Sequence, residues 1–239
     1  MRSSGPALRH SRLARLARGS ASHLRTADAP CERCDLCAQQ VHAEHRHLLD
    51  LEARRLLCAC QACAILFDRR EAGGRHYRLV PDRCRYVEDF SLPDTLWARL
   101  AIPVELAFMF HNSLTGRVVA FYPSPAGATE SLLELTTWDD IAAANPVLDT
   151  MEPDVEALLV NRAHEASDHW LVPVDECYRL VGLIRTRWRG FSGGEEVWSE
   201  IRDFFQTLRL RSTTVDRAGH AVTVQHPHML EPTGSPGHV

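Results

Sequence analysis

Residues 34–63 read CDLCAQQVHAEHRHLLDLEARRLLCACQAC, and this stretch decides the fold of the first part of the chain. It begins with the pair Cys34 and Cys37 and ends with the pair Cys60 and Cys63, and we call these two Cys-x-x-Cys turns the first and second knuckle. Two such turns brought together supply four thiolates, the tetrahedral donor set that Zn²⁺ or a single iron ion accepts. The four cysteines are therefore the predicted metal ligands.

The sequence between the knuckles predicts a β-hairpin. The apolar-rich runs 46–51 and 55–58 are typical of strands, and the polar residues 52–54 can turn the chain between them. A hairpin with a knuckle at each end is the arrangement of a zinc ribbon. Residues 64–67 and 76–80 predict further strands of a sheet that is too small to be stable without its metal.

Two more cysteines lie next to the predicted ligands. Cys31 precedes Cys34 by three positions, and Cys58 precedes Cys60 by two, so the number of thiols exceeds what one metal ion needs. An iron–sulfur cluster is the open alternative, since it also takes four thiolates and often uses CxxCxxC runs. The ferredoxin pattern, with a fourth cysteine followed by Pro, is absent.

Three histidines, His42, His45 and His47, fall in the same stretch. Each can replace a sulfur at the metal, or can be an exposed side chain or a support for the true ligands. The candidates for additional ligands are Cys31, Cys58, His45 and His47. The isolated cysteines Cys84 and Cys177 are predicted to be small buried apolar residues.

Composition indicates a cytoplasmic bacterial protein. The first thirty residues carry six arginines and one acid but no apolar segment and no cleavage site of a secretory signal. No run of about 18 apolar residues is present, so no membrane-spanning helix is expected. Knuckle spacing without an export signal favours metal-bound thiolates over disulfides. All 27 basic residues are Arg, a bias typical of GC-rich bacterial genomes.

The distribution of charge argues against nucleic acid as the partner. Residues 91–211 contain ten arginines against eighteen acids, whereas residues 1–30 carry a net charge of +5. A nucleic-acid-binding domain is expected to present a basic patch on its folded part. Here only the N-terminal segment is basic, so a protein partner is the expectation.

The predicted fold is of the α+β class, with a small zinc-ribbon-like β module followed by a mixed α/β body. We expect a disordered Arg-rich tail at 1–30, the metal-binding module at 31–90, the body at 91–211 and a disordered tail at 212–239. Predicted elements of the body are strands at 103–110, 117–122 and 155–160 and helices at 93–100, 129–135, 138–144, 175–188 and 192–208.

Several segments resemble an uncharacterised bacterial family, found largely in actinobacteria, whose members are associated with genes for [NiFe]-hydrogenases. The resemblance covers about residues 31–211. It implies that Cys34, Cys37, Cys60 and Cys63 form the metal site. The segments that carry the resemblance are His45-Arg-His-Leu-Leu-Asp-Leu-Glu52, Arg55-Leu-Leu-Cys-Ala-Cys-Gln-Ala-Cys63, Tyr77-Arg-Leu-Val-Pro-Asp-Arg83, Ala120-Phe-Tyr-Pro-Ser-Pro-Ala-Gly-Ala-Thr-Glu-Ser131, Asn145-Pro-Val-Leu148, Glu156-Ala-Leu-Leu-Val-Asn-Arg162, and Trp170-Leu-Val-Pro173 through Gly190-Phe-Ser-Gly-Gly194.

The sequence provides no positive ground for an enzyme, since it contains no Walker A, dinucleotide-binding or HExxH motif. The leading hypothesis is a metal-binding accessory protein that assists assembly or maturation of a [NiFe]-hydrogenase and contacts its subunits or maturation factors. One alternative is a rubredoxin-like electron carrier with iron in the four thiolates, although Ala38 and Ala64 stand where glycine usually follows a rubredoxin knuckle. A second alternative is a nucleic-acid-binding regulator.

Overall fold

The computed structural model of the protein describes residues 32–68, 76–131, 135–190 and 193–222. These residues form two β-sheets and five α-helices, so the fold is mixed α/β, as predicted. No helix in this described part of the chain has the length and apolar character needed to cross a membrane.

The smaller sheet contains the predicted hairpin. Strand β1 lies in the centre and pairs antiparallel with β2 on one side and β3 on the other. Helix α1 follows β2 directly. The bounds are β1 (Arg46–Asp50), β2 (Arg55–Ala59), α1 (Gln61–Leu66) and β3 (Tyr77–Leu79).

Side-chain alternation gives the hairpin two different faces. Leu48 and its cross-strand partner Leu57 point to the face covered by α1, where they are buried with Ala64. Leu49 and Leu56 point the other way, toward the body of the protein. Residues two positions away on each strand share their face.

The larger sheet has seven strands in the order β10-β4-β9-β8-β5-β6-β7. Only the pair β10 and β4 is parallel. The bounds are β4 (Arg85–Val87), β5 (Leu106–Asn112), β6 (Arg117–Ser124), β7 (Gly127–Ser131), β8 (Glu156–Asn161), β9 (Asp168–Pro173) and β10 (Thr213–Val215).

Helices cover both faces of this sheet, which explains why β8 is buried along its whole length. Ala157 and Leu159 contact the core that contains α4 and α5, whereas Leu158 and Val160 contact the core that contains α2 and α3. The helices are α2 (Asp94–Arg99), α3 (Leu135–Ala144), α4 (Val174–Arg187) and α5 (Glu195–Arg211).

The smaller sheet packs against the start of α4. Leu49 and Leu56 from the hairpin contact a small cluster of buried valines that includes Val155 and Val174. Because Val174 is the first residue of α4, this contact brings the inner face of the hairpin next to the first turn of that helix.

The buried carboxylate of Glu156 binds arginines of the segment that connects the two sheets. Glu156 on β8 is fully buried, and its two oxygens accept hydrogen bonds from Nε and Nη2 of Arg83 at 2.7 and 2.8 Å. Arg85 lies 3.4 Å from the same carboxylate, and the backbone N–H of Glu152 donates to it at 2.8 Å. This set of donors satisfies the charge that burial would otherwise make costly.

Two predicted elements are wrong. Residues 64–67, predicted as a strand, belong mainly to α1, because the second knuckle starts a helical turn there. Residues 129–135, predicted as a helix, begin in β7, which pairs with β6 through a tight turn. In that turn the Ser124 hydroxyl donates to the carbonyl of Gly127, whose φ of +124° suits glycine. When a short apolar run has no clear periodicity, tertiary contacts of this kind determine whether it forms a helix or a strand.

The predicted modules also differ from the observed sheets. Strand β4 lies within predicted module 31–90 but pairs with β9 and β10 in the larger sheet. Strand β10 lies within predicted tail 212–239. Each strand buries a valine, Val87 in β4 and Val215 in β10, and this burial of apolar surface stabilises the strand in the larger sheet. The predicted tail 1–30 lies outside the described residues.

One buried histidine makes the stability of this fold depend on pH. His169 on β9 is 2% exposed and stacks on Phe90 with ring centroids 4.5 Å apart. Burial, assisted by the charge of Arg162, lowers the pKa of His169 from 6.5 to about 4. The unfolded chain therefore binds a proton between pH 6.5 and 4 that the folded protein does not.

We expect the free energy of unfolding to fall by on the order of 3 kcal/mol as pH drops through this window because of His169 alone. The variant His169→Phe keeps an aromatic ring beside Phe90 and removes the titration. Chemical denaturation at several pH values should show a shallower dependence in His169→Phe. The control is His76→Gln, which changes an exposed histidine. The assignment would be contradicted if the free energy of unfolding of His169→Phe depended on pH as steeply as that of the natural protein, or if His76→Gln reduced this dependence equally.

Candidate metal centre

The four predicted ligands lie together in the structure. The sulfur atoms of Cys34, Cys37, Cys60 and Cys63 are all within 4.8 Å of one another, and those of Cys37 and Cys60 are 3.7 Å apart. Such a cluster can bind one metal ion with four thiolates, a donor set that zinc and iron both accept. The first cysteine of each knuckle, Cys34 and Cys60, is buried, whereas Cys37 is exposed.

The first knuckle is a tight loop closed by backbone hydrogen bonds. The N–H of Cys34 donates to the carbonyl of Gln39, and the N–H of Ala38 donates to the carbonyl of Cys34, both at 2.8 Å. Ala38 has a φ of +62°, the left-handed conformation that favours glycine. The turn therefore has the shape of a knuckle with glycine after its second cysteine, although alanine occupies that position.

The second knuckle is helical and so is not a copy of the first. Cys60 is the N-cap of α1, and its sulfur accepts a hydrogen bond from the N–H of Cys63 at 3.4 Å. Ala64, the residue after this knuckle, lies inside α1 and is buried. Of the two residues that follow the knuckles, only Ala38 has the positive φ that favours glycine.

A pair of hydrogen bonds attaches the first knuckle to the hairpin. The N–H of Asp35 donates to the carbonyl of Cys58 at 2.8 Å, and the N–H of Cys58 donates to the Asp35 carboxylate at 2.7 Å. Because Cys58 is part of β2, the knuckle is held against that strand. The sequence alone carried no sign of this contact.

The thiols of the cluster have pKa values shifted in opposite directions. Burial raises the pKa of the Cys34 thiol, but hydrogen bonds from backbone N–H groups, first that of Cys60, outweigh this effect and lower the pKa to about 6. The pKa of Cys63 is raised to about 12, mainly by its hydrogen bond with the Cys60 side chain. One thiol of the cluster therefore ionises more readily than usual, and another keeps its proton because of its hydrogen bond with the Cys60 side chain. A metal ion binds the thiolate forms, so its binding releases protons and weakens as pH falls.

The candidates for additional ligands divide into two groups. Cys31 lies outside the described residues. Cys58, His45 and His47 form a second cluster of their own, with donor atoms all within 4.8 Å of one another. They are therefore grouped together on the hairpin, and the four-thiol set does not include them.

The two isolated cysteines are buried as predicted. Cys84 is 8% exposed and Cys177 is fully buried, and both belong to the core beneath α4 and α5. Burial raises the pKa of the Cys84 thiol to about 11 and that of Cys177 well above its ordinary value. Burial and a raised pKa both disfavour the thiolate form of these two cysteines.

Comparison with known proteins yields one family. The profile of a family of unknown function (DUF5947) matches residues 33–212. This is nearly the range over which the sequence resembles an uncharacterised family. No curated protein and no solved structure matches the chain. The family description mentions neither hydrogenases nor actinobacteria, so those two expectations stay predictions.

The first prediction for this site concerns metal content. Cys60→Ser removes one thiolate but keeps a side chain that caps α1 well. We expect metal per chain to fall from about one at this site to a small fraction, with a large loss of thermal stability, because binding energy is folding energy in so small a module. Elemental analysis and thermal unfolding measure both. Cys84→Ala is the matched control and should retain the metal; equal metal in Cys60→Ser would refute the assignment.

The second prediction uses the different conformations of the two alanines. Ala38→Gly should raise the free energy of unfolding of the metal-loaded protein by about 1 kcal/mol, because it relieves a left-handed alanine. Ala64→Gly should lower it by at least about 1 kcal/mol, because glycine is unfavourable within a helix. Denaturant titration of the two variants compares them directly. Shifts of the same sign would show that the two knuckles do not differ in this way.

Proposed function

Because the chain belongs to DUF5947, a family whose function is unknown, we propose its role from the metal centre: a non-catalytic metal-binding accessory protein whose zinc-ribbon-like module serves as a docking surface. The observation that carries this proposal is the cluster of four cysteine sulfurs within 4.8 Å of one another. All four tetrahedral positions are then filled by protein, which is the pattern of structural rather than catalytic zinc.

The size of the module supports a structural metal. The apolar cluster between the sheet and α1 has four fully buried side chains, two of which are alanines, and three partly buried ones from Phe67, Tyr77 and Leu79. A core of this size contributes too little to fold a three-stranded sheet alone. Zinc bound by the four thiolates supplies the missing stability and fixes the relative positions of the two knuckles and the hairpin.

Exposed apolar side chains near the cysteines support a protein partner. Ile65 and Leu66 on α1 are 63% and 65% exposed, and Leu36 in the first knuckle is 40% exposed. All three come from the segments that carry the metal ligands. Exposed apolar side chains favour a contact with protein over a contact with a charged polymer. The excess of acids over arginines in residues 91–211 also disfavours nucleic acid.

The partner we propose is a subunit or maturation factor of a [NiFe]-hydrogenase, and the support for this finer statement is the family resemblance of the sequence. The test is affinity capture of the tagged chain from a bacterial host that expresses such an enzyme, with a deletion strain assayed for hydrogenase activity. We expect hydrogenase proteins to be recovered and activity to fall.

The matched variant for capture is Ile65→Asp with Leu66→Asp, which changes the exposed face of α1 and leaves the thiols in place. It should retain its metal and lose the partner. Recovery of no hydrogenase protein, together with normal activity in the deletion strain, would refute the hydrogenase role. Iron with a visible charge-transfer band in the purified protein would instead support electron transfer.

A further inference from the structure

The second cluster, formed by His45, His47 and Cys58, lies on the hairpin face that points toward the body. His47 and Cys58 are direct cross-strand partners in β1 and β2, so their side chains leave the sheet on the same side. His45 precedes His47 by two positions and shares that side, with the two imidazole rings 4.7 Å apart. The donor atoms of all three residues are within 4.8 Å of one another.

Hydrogen bonds at Nδ1 leave the same nitrogen free on both histidines. Nδ1 of His45 lies 2.8 Å from the carbonyl oxygen of His42, and Nδ1 of His47 lies 2.9 Å from a carboxylate oxygen of Asp175 on α4. Both partners only accept hydrogen bonds, so each Nδ1 carries a proton, and Nε2 is the nitrogen of each ring that can offer a lone pair to a metal. A carboxylate or carbonyl behind the ring is the usual support of a metal-binding histidine.

The free nitrogen of His45 has no partner among the described residues. Its side chain is only 7% exposed, and Nε2 is buried without a hydrogen bond. A buried polar atom without a partner is costly. A cation held between this nitrogen, His47 and the Cys58 sulfur would satisfy it.

We propose that His45, His47 and Cys58 bind a second divalent transition-metal ion of the zinc type, separate from the four-thiol site. Two imidazoles and one thiolate are a donor set that zinc accepts, and three protein ligands leave the fourth tetrahedral position open. Binding displaces the thiol proton of Cys58 to solvent and forms the metal–sulfur bond.

A cleft lies beside the two histidines of the cluster. His45 and His47 line a cavity of about 500 Å³ between the hairpin and the body. Its walls also carry the charged side chains of Glu176, Arg179 and Arg211. The second metal can therefore hold a water molecule or a small polar ligand, which the closed four-thiol site cannot.

The test is metal stoichiometry of the full chain, with Zn²⁺ and then Co²⁺ as the probe. We expect two ions per chain in the natural protein and one in His45→Gln and in Cys58→Ser, with the cobalt–thiolate absorption of the four-thiol site retained. His42→Ala is the matched control, since His42 contributes only its backbone carbonyl, and it should bind two ions.

A variant outside the donor set keeps the test valid if a ligand variant fails to fold. Asp175→Asn should weaken binding of the second ion by 10- to 100-fold and leave the first unchanged, as loss of a carboxylate behind a ligating histidine does elsewhere. One ion per chain in the natural protein, or unchanged binding of both ions in Asp175→Asn and His45→Gln, would overturn the proposal. Neither result depends on whether the protein has a hydrogenase partner.

Discussion

Repulsion among four crowded cysteine sulfurs is the constraint on which the metal-binding part of this protein depends. The chain brings the sulfurs within 4.8 Å of one another, where they cannot all be ionised without a cation. The hairpin joins the two knuckles in the chain and presents its second face to the start of helix α4. The apolar core of the module is too small to hold this arrangement by itself.

Local spacing made the hairpin and the four ligands predictable. Two Cys-x-x-Cys turns and two apolar runs joined by polar residues require only neighbours in sequence, and the observed register pairs Asp50 with Arg55 across the expected turn. Elements that depend on distant partners were less accessible. Residues 127–131 form a strand because they pair with β6 at the edge of the sheet. No local sequence pattern predicts this pairing.

The second cluster shows where sequence reasoning ended. The sequence predicts its three donors as additions to a single site. The observed register places His47 directly opposite Cys58, which groups these donors on the hairpin and apart from the four thiols. The contact of His47 with Asp175 could not be predicted from the sequence, because it joins residues 128 positions apart through the packing of α4 on the hairpin.

The hydrogen bonds between Asp35 and Cys58 have a consequence beyond the metal centre. Strand β2 lies at the border of its sheet, with one side facing β1 and the other without a strand in the described part of the chain. Unpaired backbone groups along such a border recruit strands from other molecules and start aggregation. Asp35 occupies the N–H and the carbonyl of Cys58 on that side. An ion bound by the four thiolates would hold the first knuckle in place and so would also keep this border covered.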